Sequence, residues 1–277
     1  MSTRNLQFGH YGQISGRVTD AAISDDTVAS LTSPKFREGR LNYVGQRVEF
    51  DDGRCFVYCS TKVDLRAGQL VAQRILNSGA VTANTGNTAS AGATEITLNT
   101  NGVDLFGDGA GIIAAGSLAG GYLHFAEDTG DSPALQGFLY RIKDNTAGTA
   151  SADITVTLFD PLKAASAADH EFVIIHPKYR KVIVGTASLP PVGVACVPTT
   201  AGTDLNEQYF WAQYKGPASV EGITTNVLIG ELVTAGAGGR VANIAALVDN
   251  SLPVGIVIGM DSAATGDCFA VDLRYLG

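Results

Sequence analysis

Runs of any single kind are scarce in this sequence. No stretch of Lys or Arg exceeds two residues, charged residues make up only 17% of the 277, and the net charge is −8. The pattern lacks a cationic track along a phosphate backbone, so nucleic acid is not an expected partner. No uninterrupted apolar run approaches the ~18 residues of a membrane-crossing helix, and the first residues hold no apolar signal core. Neither a membrane span nor Sec export is expected. The four histidines, His10, His124, His170 and His176, share no ligand spacing, and no Cys-x-x-Cys pair exists, so no metal and no cofactor are expected. A Gly-x-Ser-x-Gly elbow is missing as well. The chain reads as catalytically silent, with no catalytic, cofactor-binding or metal-binding residue assigned.

Three weaker signals have plain structural readings. Gly107-Asp108-Gly109-Ala110-Gly111 lacks the Lys-Ser/Thr of a phosphate loop and is not followed by a helical pattern, so it reads as a β-turn. The acidic pairs Asp25-Asp26, Asp51-Asp52 and Glu127-Asp128 would suit glycoside hydrolysis, but the single Trp211 is too few stacking rings for a carbohydrate cleft. Tyr209, Phe210, Trp211 and Tyr214 read as core positions of a strand in preference to a ligand platform. The four cysteines, Cys55, Cys59, Cys196 and Cys268, lie in or beside apolar runs; Cys55 and Cys59 would share one face of an unbulged strand, too far apart to bridge. All four are expected as free core thiols of a chain folded in a reducing compartment.

What is abundant is short apolar alternation. Hydrophobic residues make up 45% and Gly numbers 33, a mix that favours many short strands joined by tight turns: an all-β fold. One pattern occurs twice. Leu189-Pro190-Pro191-Val192-Gly193-Val194, a polar turn and the aromatic run from Gln208 to Tyr214 are echoed by Leu252-Pro253-Val254-Gly255-Ile256-Val257, a polar turn and Cys268 to Tyr275. Upstream, Gly68-Gln69-Leu70-Val71 matches Gly230-Glu231-Leu232-Val233.

This gives four segments. Residues 1–42 lack a period and form an extended N-terminal arm dotted with apolar residues. Residues 43–76 and 181–217 form a first, split β-module that opens on a hairpin at Asp51-Asp52-Gly53. Residues 77–180 are an inserted small β-barrel or sandwich, with Asp153 to Leu158 alternating as a half-buried strand does and a single helical turn expected within 160–169. Residues 218–277 form the second module, in which residues 241–248 are the one helix candidate.

Gly230-Glu231-Leu232-Val233, Gly238-Gly239-Arg240-Val241, Pro253-Val254-Gly255-Ile256-Val257 and Ala264-Thr265-Gly266-Asp267 together resemble the decoration, or cement, proteins of tailed-bacteriophage capsids, small barrels of the β-tulip type. The likeness covers about 60 residues well and the first module less closely. The insertion, with its Ala91 to Leu98 opening and Asp160-Pro161-Leu162, is similar to a module of phage structural proteins. The resemblance implies a homotrimer on the outer surface of the head, made in the host cytoplasm, that binds the major capsid protein and stabilises the shell without catalysis. The alternatives are a tail, neck or head-fibre component, or a carbohydrate- or receptor-binding β protein with the insertion as its reader.

Overall fold

The computed structural model describes residues 36–37, 40–41, 44–74, 88–99, 113–128, 135–149, 153–166, 170–201, 207–223, 227–243, 252–260, 267–274 and 276. Among them there is no α-helix, and the chain is all-β. It separates into two units, residues 1–73 with 178–277, and residues 74–177. The expected insertion of 77–180 is thus displaced by three residues at each end.

Within the stretch read as an arm, β1 (Phe36–Arg37) and β2 (Arg40–Leu41) pair antiparallel; the rest of residues 1–42 lies outside the described set. β3 (Arg47–Glu49) and β4 (Cys55–Thr61) then form the hairpin that Asp51-Asp52-Gly53 signals, with Gly53 at φ 84 and Asp52 accepting from the Arg54 backbone N–H at 3.1 Å. β5 (Leu70–Ala72) follows.

The second unit contains β6 (Glu95–Asn99), β7 (Tyr122–Asp128), β8 (Leu139–Asn145), β9 (Asp153–Leu158) and β10 (His170–Ile175), paired antiparallel in the order β10-β7-β8-β9-β6. Period-two alternation sends Leu123, Phe125, Tyr140, Ile142, Ile154 and Val156 to one buried face and leaves the other face open. Residues 160–166 form bends without the helical turn expected there, and residues 167–169 lie outside the described set.

The chain returns through β11 (Ile183–Val184), β12 (Pro191–Ala195), β13 (Gln208–Glu221), β14 (Leu232–Ala235), β15 (Val241–Asn243), β16 (Pro253–Gly259) and β17 (Cys268–Leu273). The helix candidate at 241–248 therefore starts as strand; residues 244–248 are not described. The main path of the sheet runs β11-β5-β12-β13-β17-β16-β14-β15, with β4 on β13 and β3 on β4, and the sheet curls into a half-barrel. This order is a palindrome of the sequence repeat. β12 and β16, β5 and β14, and β13 and β17 hold mirrored places about the antiparallel β13–β17 seam.

The boundary read between residues 217 and 218 falls inside β13, which is continuous from Gln208 to Glu221. Its first half pairs β4 and its second half pairs β17. The changeover is at Gly216, whose φ of 81 suits only glycine and whose missing Cβ would sit 3.1 Å from the Arg54 Cα. β4 is buried along its whole length because it has a core on each side. Val57 and Cys59 join Phe210 and Ala212 on one face; Phe56 and Tyr58 join Trp211 on the other.

Candidate functional site

One convergence of charged side chains is inside the first unit, where residues 178–182 lie along the end of β4. Thr61 and Val182 form a parallel bridge, Thr61 Oγ1 donates to the Val182 carbonyl at 2.7 Å, and the Ser60 N–H donates to the Tyr179 carbonyl at 3.0 Å. Docking the segment this way puts Lys181 at φ 50, the only described non-glycine residue with positive φ. Its backbone N–H donates to Ser60 Oγ at 3.0 Å.

Lys181 is 2% exposed and Lys62 8%. Burial first, and then the neighbouring Lys62, push the Lys181 amine down to about 8, with Glu207 partly opposing. Burial and then Arg47 also lower Lys178. Glu207 is the nearby carboxylate; its Oε1 accepts from Arg180 Nε at 3.2 Å, while its buried Oε2 makes no hydrogen bond among the described residues. Cations outnumber carboxylates here, which makes the cluster electrostatically costly. Lys62, Lys181 and Glu207 are buried while Lys178 and Arg180 are half-buried at the margin, so the cluster is an internal fastening of the returning chain and not a cleft that a substrate enters. Nothing in the Arg180-Lys181 dipeptide announces it, because the sequence shows neither the left-handed backbone nor the distant Lys62.

A second feature is an open groove of about 420 Å³ lined by Arg54, Phe56, Cys196, Gln213, Ser219 and Cys268. Its walls are mostly apolar. Burial pushes the Cys196 thiol up to about 12 and raises Cys59 and Cys55 as well, so these three are poor nucleophiles. All four cysteines are free, but the expectation that all are core residues needs correcting: Cys55 and Cys59 are buried, Cys196 is half-buried and Cys268 is exposed. In β17 the residues alternate in burial, and Cys268 falls on the outer set while Phe269 faces inward. Thiol titration should therefore count four reactive groups in denatured protein but one rapidly reacting group, Cys268, in the native state; two or more fast native thiols would contradict this placement.

The other residues weighed from sequence are dispersed. His124 is half-buried on β7, His176 is buried, His170 is on β10, and His10 lies outside the described residues. Asp52 is held by Arg54 at 2.8 Å in the hairpin turn, and Glu127 and Asp128 are on β7; Asp25-Asp26 and the Gly107 to Gly111 loop lie outside the described set. No group of three or more His, Cys, Asp or Glu side chains among the described residues is placed to hold a metal. The aromatic run divides by alternation: Phe210 enters one core, while Tyr209 and Trp211 pack on Tyr58 at ring separations of 6.0 and 5.0 Å. Phe210 and Trp211 are buried core residues, as expected, whereas Tyr209 and Tyr214 are half-buried at its margin. No protein-family model, curated protein or solved structure matches this chain.

Proposed function

We propose that this chain is a structural virion protein that decorates and stabilises a phage head, binding major capsid subunits as a homotrimer on the outer surface. The observation that carries the reading is where the family-like segments lie. Gly230-Glu231 turns into β14, Gly238-Gly239-Arg240 turns into β15, and Pro253 to Val257 is β16, so three of the four quoted motifs fall on neighbouring strands of one antiparallel module. The mirrored strand order is what a duplicated module of that kind produces. Strand β3, which among the described residues pairs only with β4, offers an edge to which an extended segment can add by main-chain hydrogen bonds. Several weak contacts per oligomer then sum to firm attachment.

Purified heads lacking the protein, mixed with it and examined by pelleting and electron microscopy, test the reading. Regular density on the head surface is expected; binding confined to tails or necks would replace it with the tail or neck alternative. Deleting residues 2–40 should weaken retention on heads by more than about tenfold, because an arm with dispersed apolar residues and no core of its own contributes to a complex more than to the domain fold. The truncated protein should unfold within a few degrees of the full chain. A large drop in unfolding temperature, or unchanged retention, would show that the arm is not the attachment device.

A further inference from the structure

The second unit has one face with no described partner, and its composition is uneven. Ile175 on β10 is opposite Tyr122 on β7, Tyr122 is opposite Arg141 on β8, and the Phe159 N–H at the end of β9 donates to the Arg141 carbonyl at 3.0 Å. These four form one row across the sheet, with Leu139 beside it on the same face. Tyr122, Leu139, Phe159 and Ile175 are 38%, 52%, 52% and 39% exposed. Single exposed apolar residues need no explanation, but a contiguous set does. The same alternation elsewhere on this face places Thr97, Thr155 and Thr157.

At the centre of the row, the Arg141 guanidinium lies 4.9 Å from the Phe159 ring centroid. Among the described residues it makes no ion pair. This is unexpected for its surroundings, since residues 74–177 carry four Lys and Arg against eleven Asp and Glu, a net −7 of the chain's −8. Aromatic rings, aliphatics and one Arg at the centre, with Glu95 and Lys143 outside the row, match the anatomy of a protein interface core and its polar rim.

We propose that this face docks a second protein whose contact patch presents a carboxylate ringed by aliphatic side chains; on the decoration reading, from which this inference proceeds, that protein is the major capsid subunit. The guanidinium rests beside the ring and makes no ion pair among the described residues, so a carboxylate can be taken bidentately. A second copy of this chain packed face to face is disfavoured, because a two-fold axis would bring Arg141 towards its own equivalent and oppose two acidic units. Five strands at about 4.8 Å spacing and six residues at about 3.4 Å rise give a footprint of roughly 24 by 20 Å. That is less than the ~800 Å² per partner of a standard interface, so each contact is weak alone and effective only in linked copies.

The test measures binding of the full-length protein to heads lacking it. Arg141→Glu and Leu139→Asp should each weaken half-saturation by at least about tenfold, with unchanged thermal unfolding because both side chains are exposed. Leu228→Ser, which removes an exposed apolar side chain from the first unit, should bind as wild type. Wild-type binding with unaffected Arg141→Glu and Leu139→Asp would overturn the inference and leave the decoration reading intact. Absence of wild-type binding would overturn both. Loss of oligomer mass in light scattering for Leu139→Asp would reassign the face to self-association.

Discussion

Replacing Gly222 with Ala is expected to destabilise the first unit by about 3 kcal/mol, near the upper end for a single added methyl group. A Cβ at Gly222 would lie 1.9 Å from Cε2 and 2.5 Å from Cζ of Phe269. Phe269 pairs with Val220 and reaches diagonally across the seam, so its ring occupies the space that the glycine leaves open. The ring cannot swing aside, because it is wholly buried in a core with Val233, Val241, Val257 and Val271. Phe269→Leu alone should also destabilise, through the cavity it leaves. The double variant should be more stable than the sum of the two single effects by about 1 kcal/mol or more, since each change relieves the other. Denaturant midpoints of the four proteins measure this. A Gly222→Ala protein within about 0.5 kcal/mol of wild type, or strict additivity, would show that the ring does not depend on that glycine.

Lys181→Met should have the opposite sign, raising stability at pH 7 by about 2 kcal/mol, or about 4–8 °C for a unit of this size. The folded amine is held near 8 against an ordinary value of 10.5, so between those pH values the unfolded chain carries a proton that the folded chain lacks. Stability attributable to this group therefore rises with pH across that window and is lowest below 8, where the folded protein must bury the charge. Met keeps the volume and removes the penalty, leaving Arg180 to pair with Glu207 and relieving Lys62. The advantage of the variant should shrink to under about 1 kcal/mol by pH 10. The comparison has to be made at each pH, because Cys59, Cys196 and Tyr214, whose buried neutral forms are favoured, act in the other direction at high pH. A gain that does not change with pH would indicate a packing effect; a loss at pH 7 would mean that the ammonium is stabilising where it sits.

Periodicity made the all-β class readable from sequence, and the reasons are local. Asp153 to Leu158 alternates strictly and buries every second residue, and Asp51-Asp52-Gly53 has the residues its turn requires. The repeat could be read because each copy keeps its strand, turn and aromatic strand together. What sequence concealed depends on neighbours that arrive from far along the chain. A module boundary is read after Pro217, yet Pro217 is paired with Asp272 inside a fourteen-residue strand because β17 takes over there from β4. The start of the Ala-rich 241–248 segment becomes strand because β14 pairs with it. Neither Lys181 nor Arg141 has a flanking motif. One is marked by burial against a lysine 119 positions away in sequence, the other by the company of residues on three other strands.

The site of the second unit's attachment has a kinetic meaning. Ala72 and Ile183 are opposite each other in the β5–β11 ladder although 111 positions separate them. The two ends of the excursion therefore leave the first unit one strand spacing apart, as the ends of a hairpin do. Joining them by a few residues would replace a loop of more than a hundred residues by a tight turn. For a flexible loop that change is worth on the order of 2–3 kcal/mol of closure entropy, and less if the second unit folds first and draws its own ends together. The long-range pairing of β5 with β11 would then form as fast as a local hairpin, so the order in which the two units fold sets how long the edge of β5 waits unpaired during synthesis.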